Sequence, residues 1–171
     1  MIEDGEISTP ADASFSLALG GGAAKGLAHI PVLEALDDLG IKPLKIAGTS
    51  MGAIMGACYA SGMSGRELRA FAVELFEERL ELIRRVFTET ETWSSIFSLS
   101  SPAIIAPETV FNAVLPNTLP EMFEELSIPL GVVATDFHAQ SQVVIDSGPL
   151  LPAVSASSAL PVLLTPVQIE G

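Results

Sequence analysis

A G-x-S-x-G pentapeptide, running from Gly48 to Gly52 with Ser50 at its centre, constrains the fold of this chain more than any other feature. An apolar stretch at residues 44–47 precedes it, and a helical pattern of small residues at 53–60 follows it. A junction of strand, sharp turn and helix of this kind holds a serine hydroxyl exposed as a nucleophile. Side chains at the two glycines would crowd the turn, and the helix directs free N–H groups toward Ser50. The pentapeptide therefore predicts covalent acyl transfer.

A second glycine-rich segment, residues 20–26, lies upstream of the pentapeptide. It follows a strand-like run at residues 15–19 and opens a predicted helix that ends at Gly40. Backbone N–H groups in a strand, glycine loop and helix can converge on one negative oxygen. The apolar positions of the helix recur at helical spacing: Leu27, Ile30, Leu33, Leu36 and Leu39.

Two functions compete for this glycine loop. A nucleotide phosphate site requires G-x-x-x-x-G-K-[ST] or G-x-G-x-x-G. The first pattern fails because Lys25 precedes Gly26 and Leu27, and the second fails because Lys25 stands where its third glycine is required. An oxyanion hole is the better assignment, since a predicted nucleophile follows and acyl transfer needs donors aimed at the developing negative oxygen.

Four landmarks together resemble those of the patatin-like phospholipases: residues 20–30, 48–52, 133–136 and 156–161. The resemblance spans residues 15–171. It implies an α/β fold, a three-layer α/β/α sandwich, and a Ser–Asp dyad that works without histidine, cofactor or metal. The implied substrate is a lipid or carboxylic ester, cleaved through an acyl-Ser50 intermediate.

The resemblance also assigns roles to single residues. Ser50 is the nucleophile, and the oxyanion hole is formed by the backbone N–H groups of Gly21, Gly22 and Ala23, with that of Met51 as a further donor. The motifs are supported by Gly20, Lys25, Gly26, Gly48 and Gly52. Ala23 stands where many relatives have glycine, which would impair the loop only if that position requires a positive φ. Lys25 either meets a lipid phosphate or holds the loop in place.

The two histidines of the chain argue against a Ser, Asp, His triad. His29 precedes Ser50 and lies within the predicted helix, where we expect it to pack. His138 is two residues from Asp136, so an acid and a base in the usual chain order would have to come from one short segment. A dyad without histidine is simpler.

The main departure from the family concerns the general base. Family members continue past residues 169–171 into an Asp-Gly-Gly or Asp-Gly-Ala motif that supplies it, whereas no Asp-Gly dipeptide follows Ser50 here. Three explanations stay open: a chain that lacks its C-terminal portion, a second polypeptide that supplies the segment, or a substitute carboxylate. Asp136 is the best internal substitute, because it follows an apolar run and is expected at the carboxyl end of a strand. Its alternative role is to stabilise a loop.

The missing base has a consequence for activity. A serine at its ordinary pKa is a weak nucleophile, so we expect these 171 residues alone to show little esterase activity. The alternative function is a catalytically inactive lipid-binding or interaction module.

Length and composition predict one domain, residues 14–171, after a flexible tail, residues 1–13. The resemblance implies that it is a patatin-like acyl hydrolase domain that is incomplete at its C-terminus. A net charge of −13 disfavours nucleic acid and gives no attraction to anionic lipid, so a peripheral membrane contact would be local and apolar. The N-terminus shows no signal peptide, and Cys58, the single cysteine, is expected to be a buried small hydrophobe. These features predict a cytoplasmic protein.

Further predictions concern the remaining segments. Residues 66–87 are expected to form an amphipathic surface helix or a lipid-contacting lid, residues 88–101 a mobile loop over the site, and residues 107–115 a helix. Residues 126–136 are predicted to return to a strand. The apolar segment 143–169 is either a buried strand and helix or a patch covered by a missing C-terminal segment or a partner chain.

Overall fold

A four-stranded mixed β-sheet organises the chain in a computed structural model, which describes residues 14–74, 115–116, 118–159 and 166–169. The strands lie side by side in chain order. They are β1 (Ser16–Leu19), β2 (Lys45–Thr49), β3 (Leu130–Asp136) and β4 (Ser141–Ile145). The first three are parallel and β4 is antiparallel to β3. The carboxyl ends of the parallel strands therefore meet at one edge of the sheet, where sites of α/β proteins assemble.

Helices connect the parallel strands, as the α/β prediction requires. A 3₁₀ turn (Ala23–Ala28) leads into α1 (His29–Asp38), and α2 (Met51–Ala60) follows β2. Residues 65–74 are also helical. A second 3₁₀ turn (Phe123–Glu125) precedes β3, and α3 (Leu150–Ser158) follows β4. The alternation confirms the predicted fold class.

The hydrophobic core lies between the sheet and helices α2 and α3. α2 packs against the three parallel strands, and α3 packs against β3 and α2. Gly56 permits the close approach of α2, since a Cβ there would lie 3.1 Å from Ile46 Cγ2 and 3.2 Å from Leu130 Cδ1. Ile46 and Val132 are fully buried beneath these helices. The small residues of α2 thus hold the helix that follows Ser50 close to the sheet.

The apolar face predicted for the helix after the glycine loop is confirmed except at Leu39. Ile30 and Leu33 are buried and Leu27 and Leu36 pack against the core, whereas Leu39 is 71% exposed. Leu39 is the residue at which the helix ends, and Gly40, with φ +67°, turns the chain away as predicted. Leu39 is predicted to lie on the buried face of the helix, but it is exposed because α1 ends there.

A carboxylate ties the far ends of three helices together. Asp37 accepts hydrogen bonds from the Tyr59 hydroxyl at 2.8 Å and the Gly65 amide at 2.7 Å, and it forms an ion pair with Lys42. Burial raises the pKa of Asp37, but the hydrogen bonds from these three groups outweigh it, so the pKa lies below its ordinary value. The network fixes the end of α2 that is opposite Ser50.

The apolar segment 143–169 divides into two kinds of surface. Val143 and Val144 of β4 are partly exposed, whereas Leu150, Ala153 and Val154 of α3 are buried.

The predicted strand at 126–136 begins only at Leu130, after Pro129.

Several predictions fall outside the described residues: the tail at 1–13, the loop at 88–101, and most of the helices at 66–87 and 107–115. Where the helix at 66–87 is described, Leu68 and Ala72 are buried as expected. In the described ranges, no helix has the length and apolar character needed to cross a membrane.

Candidate active site

Ser50 occupies a sharp turn between β2 and α2. Its φ of 52° and ψ of −119° are unusual for a residue other than glycine. Its carbonyl oxygen accepts hydrogen bonds from the amides of Ala53 and Ile54, at 2.9 and 3.1 Å, so the helix begins directly after it. Non-glycine residues held in such conformations cluster at functional sites, where the surrounding structure maintains them. The structure thus forms the turn that the pentapeptide predicts.

The two glycines of the pentapeptide are required by contacts with backbone atoms. A Cβ on Gly48 would lie 2.5 Å from the Gly52 carbonyl oxygen and 2.6 Å from Ala53 Cα. A Cβ on Gly52 would overlap the carbonyl oxygen of Leu19, at the end of β1. Neither neighbour can rotate away, because each is main chain. The absence of a side chain at Gly52 therefore allows the turn of Ser50 to lie against the start of the glycine loop.

The glycine loop lies directly beside Ser50. A Cβ on Gly21 would be 3.4 Å from Ser50 Cβ and 3.4 Å from the Thr49 carbonyl oxygen. At the other end of the loop, a Cβ on Gly26 would overlap the side chain of Met51. The pentapeptide and the glycine loop, which are separate in sequence, therefore lie side by side at both ends of the loop.

The backbone donors predicted for the oxyanion hole lie in this loop and at the start of α2. Among the described residues, the amides of Gly21 and Gly22 donate no hydrogen bond. Met51 is the first residue of α2, and the N–H groups of the first helical turn have no acceptor within a helix. Gly22 has φ +141°, which a residue with a side chain rarely adopts, and its carbonyl oxygen accepts from the Lys25 amide at 3.0 Å. The arrangement can offer free N–H groups next to Ser50.

Ala23 adopts φ +48°. The position where many relatives have glycine therefore does require a positive φ, which is the condition under which alanine impairs the loop.

We expect Ala23→Gly to stabilise the fold by about 1 kcal/mol, since the strain of a positive φ is larger than the extra chain entropy of glycine. Urea denaturation measures the change. An Ala24→Gly variant, one residue on in the 3₁₀ turn and without positive φ, should be neutral or destabilising. Equal effects of the two substitutions would contradict the strain at Ala23.

His29 has a role that the sequence prediction of simple packing misses. Its Nε2 lies 2.8 Å from the carbonyl oxygen of Gly20, and because a carbonyl only accepts, Nε2 carries the proton. The bond ties the first residue of the glycine loop to the start of α1. A signal was present in the sequence, since His29 is a polar residue at the beginning of the helix that the loop opens.

Ser157 also escapes sequence reasoning, although it lies in a landmark of the resemblance. Its Oγ accepts a hydrogen bond from the Ser50 amide at 2.8 Å and donates one to the Val133 carbonyl at 2.6 Å. The available signal is its spacing, because Ser157 continues the buried stripe of α3 formed by Leu150, Ala153 and Val154.

The structure does not bring Asp136 to Ser50. In the register of β2 and β3, Thr49 pairs with Val133, so Asp136 lies three residues, roughly 10 Å, further along its strand. Its Oδ1 accepts from the Ala139 amide at 2.8 Å and the His138 amide at 2.9 Å. The bond from Ala139 is the main cause that lowers the pKa of this carboxyl. This geometry is that of a turn-stabilising residue.

Other titratable groups near the site differ in what they can contribute. Lys25 is exposed beside the glycine loop, and in the described part of the chain its ammonium group forms no ion pair. Cys58 is fully buried in α2, and burial raises the pKa of its thiol to about 12. A thiol of that kind is inert as a nucleophile. Among the described residues, the Ser50 hydroxyl makes no hydrogen bond to either histidine.

Comparison with known proteins places these features in a family. The chain is 36% identical over 156 residues to an uncharacterised NTE family protein of Mycobacterium tuberculosis, covering 91% of this chain and 40% of the relative. It is 31% identical over 155 residues to human patatin-like phospholipase domain-containing protein 6, covering 90% of this chain and 11% of that protein. The chain thus spans well under half the length of these relatives.

A solved structure and a family profile agree with this assignment. The crystal structure of the type III effector protein ExoU matches with a TM-score of 0.51 and 18% identity, over 88% of this chain and 41% of ExoU, which shows a shared fold. The profile of the patatin-like phospholipases matches residues 17–171. The resemblance seen in the glycine loop and the pentapeptide is therefore confirmed, and the chain belongs to the patatin-like phospholipase family.

Proposed function

We propose that this chain is the catalytic domain of a serine acyl hydrolase that cleaves lipid or carboxylic esters through an acyl-Ser50 intermediate. The observation that carries the proposal is the close approach of the two motifs, in which a Cβ placed on Gly21 would lie 3.4 Å from Ser50 Cβ. Family membership supports lipid acyl hydrolysis in general. The positions of Ser50 and the glycine loop support this particular mechanism.

The proposed reaction proceeds in two halves. Ser50 Oγ attacks the ester carbonyl carbon and gives its proton to a base, and the carbonyl oxygen becomes an oxyanion that the amides of Gly21, Gly22, Ala23 and Met51 stabilise. The bond to the alcohol oxygen then breaks, and the alcohol leaves with a proton. Water next attacks acyl-Ser50, which releases the carboxylic acid and restores the hydroxyl.

The base of this mechanism is proposed by analogy with the family, as the aspartate of a Ser–Asp dyad. None of the carboxylates in the described residues hydrogen-bonds to Ser50 Oγ. The best internal candidate, Asp136, is engaged by two amides of its own turn. We therefore assign Ser50 and the donor loop to these residues and assign Asp136 to turn stability.

Lys25 and the charge of the chain bear on the substrate. With a net charge of −13, binding to a lipid surface would depend on local apolar contact and not on overall attraction to anionic headgroups. Lys25 lies exposed next to the donor loop, so we propose that it faces the part of the substrate that projects from the acyl carbonyl.

The test of the donor loop is a substitution at Gly21. We expect Gly21→Val to lower turnover of short p-nitrophenyl esters by about 10²-fold, because its γ-methyl groups enter the space beside Ser50 and displace an oxyanion donor. Because these 171 residues alone are expected to show little turnover, the two variants are compared in a longer native polypeptide that contains them, with the 171-residue chain assayed alongside. Gly20→Ala is the matched control, since a Cβ there has no atom within 4 Å.

Three outcomes separate the functions. Loss of turnover in Gly21→Val, with turnover retained in Gly20→Ala, would support the acyl hydrolase function. Equal turnover in both variants would contradict the assignment of the donor loop. If every form lacks turnover yet binds vesicles of neutral phospholipid, the inactive lipid-binding module is the correct function.

A further inference from the structure

The hydroxyl of Ser157 connects the turn at Ser50 to strand β3 of the sheet. Ser157 Oγ accepts a hydrogen bond from the Ser50 amide at 2.8 Å and donates its proton to the Val133 carbonyl at 2.6 Å. A serine hydroxyl has one proton and accepting lone pairs, so its proton is committed to Val133 and a lone pair faces Ser50. Alanine could make neither bond.

The peptide that Ser157 holds is the one that orients Ser50. The Thr49–Ser50 peptide is trans, so its N–H and C=O groups point in opposite directions from one rigid plane. On one side the N–H donates to Ser157, and on the other the Thr49 oxygen lies 3.4 Å from the position of a Cβ on Gly21. Rotation of this peptide would break the hydrogen bond to Ser157 and would move the Thr49 oxygen relative to the glycine loop. The angle of this one plane therefore sets how Ser50 lies relative to the loop.

The turn needs such a restraint because Ser50 is strained. Its φ of 52° and ψ of −119° cost free energy, and a residue persists in that conformation only where neighbouring groups hold it. The Ser50 carbonyl is held by the amides of α2, while Ser157 holds its amide. The two ends of the residue are thus fixed by different elements.

Neighbouring serines in α3 show that the bridge is specific to Ser157. The hydroxyls of Ser155 and Ser158 are buried and have no hydrogen-bond partner among the described residues. Ser157 shares the inward stripe of α3 with Leu150, Ala153 and Val154, which brings its hydroxyl to the carboxyl end of β2 and the middle of β3.

We infer that Ser157 is a positioning residue for acylation: it clamps the Thr49–Ser50 peptide and so aims the Ser50 hydroxyl relative to the donor loop. The inference rests on the proposed function of Ser50. It assigns Ser157 no contact with substrate, since the only proton of its hydroxyl goes to Val133 and its oxygen accepts from the Ser50 amide.

The first readout does not depend on catalysis. Amide hydrogen exchange is compared in the wild-type chain, Ser157→Ala and Ser158→Ala. We expect Ser157→Ala to speed exchange at the Ser50 amide by about tenfold or more, because the amide loses its acceptor, while the amides of Ile46 and Val132 in the core keep their protection. Ser158→Ala should leave the Ser50 amide unchanged.

The second readout separates orientation from binding. Labelling of Ser50 by a fluorophosphonate is followed at several probe concentrations; the Ser50 Oγ–P bond forms as the P–F bond breaks, fluoride leaves and the hydroxyl proton passes to the base or to solvent. We expect Ser157→Ala to lower the rate at saturating probe by about 10- to 100-fold, with little change in the half-saturating concentration, since misplacement of a nucleophile acts on the chemical step.

The outcomes are distinguishable. Absence of Ser50 labelling in a wild-type form of the protein that hydrolyses esters would overturn the proposed function, and the exchange result would then still test the clamp. Wild-type labelling together with identical exchange and labelling rates in Ser157→Ala and Ser158→Ala would overturn the clamp and leave the proposed function standing. A fall in labelling with uniformly faster exchange throughout the core would show a general loss of stability and would also overturn the clamp.

Discussion

Replacing Ser50 with glycine is expected to abolish ester hydrolysis and, at the same time, to stabilise the fold. Loss of the nucleophile removes the covalent route, which costs on the order of 10⁴-fold or more in turnover when a serine nucleophile is removed. The gain in stability follows from the backbone, because glycine adopts φ 52° and ψ −119° without the penalty that a side chain brings. We expect the free energy of unfolding to rise by about 1 kcal/mol.

Ser50→Ala is the matched control for this prediction. It removes the same hydroxyl but keeps a Cβ, so it should lose the same turnover and gain none of the stability. Urea denaturation and p-nitrophenyl ester hydrolysis, measured on both variants, separate the two effects. An alanine variant as stable as the glycine variant would show that the turn at Ser50 stores no strain.

Among the described glycines, Gly52 is the one at which alanine is expected to be most damaging. The new Cβ would overlap the Leu19 carbonyl oxygen and would lie 2.5 Å from the Leu19 carbonyl carbon and 2.7 Å from the Gly20 carbonyl oxygen. All three are backbone atoms at the end of β1, so α2 must move away from the sheet. We expect the free energy of unfolding to fall by about 3 kcal/mol. We also expect turnover to be lost, because Ser50 and the glycine loop shift apart.

Two other glycines give a graded control. Gly56→Ala meets only side-chain atoms, at 3.1 Å from Ile46 and 3.2 Å from Leu130, and gains helix propensity, so its net effect should be small. Gly20→Ala meets no atom within 4 Å. Thermal unfolding should therefore rank Gly52→Ala far below the other two. A Gly52→Ala variant as stable as Gly56→Ala would contradict the close contact of α2 with β1.

The nucleophile turn and the glycine loop could be predicted from sequence because their geometry is locally encoded. Gly48 and Gly52 are required by atoms a few residues away or at the adjacent strand end, and the pattern of strand, glycine turn and helix marks them. The end of α1 at Gly40 is local in the same sense. At these positions the residue type alone therefore indicates the turn.

The bonds of Ser157 and His29 could not be predicted in the same way. Ser157 and Ser50 are 107 residues apart, and only the register of β2 with β3 and the packing of α3 bring them together. His29 bonds a carbonyl nine residues away, which depends on the 3₁₀ turn that separates the loop from α1. The strand position of Asp136 was predicted correctly, but its distance from Ser50 follows from register alone.

The central claim is that Ser50 is the nucleophile of an acyl transfer site. Its most direct test is to label the intact protein with a fluorophosphonate, digest it and map the adduct by mass spectrometry, with Ser50→Ala as the control. We expect one stable adduct on Ser50, absent from the alanine variant and much slower to form in Gly21→Val. An adduct on another serine, with Ser50 unmodified, would contradict the assignment of Ser50 as the nucleophile.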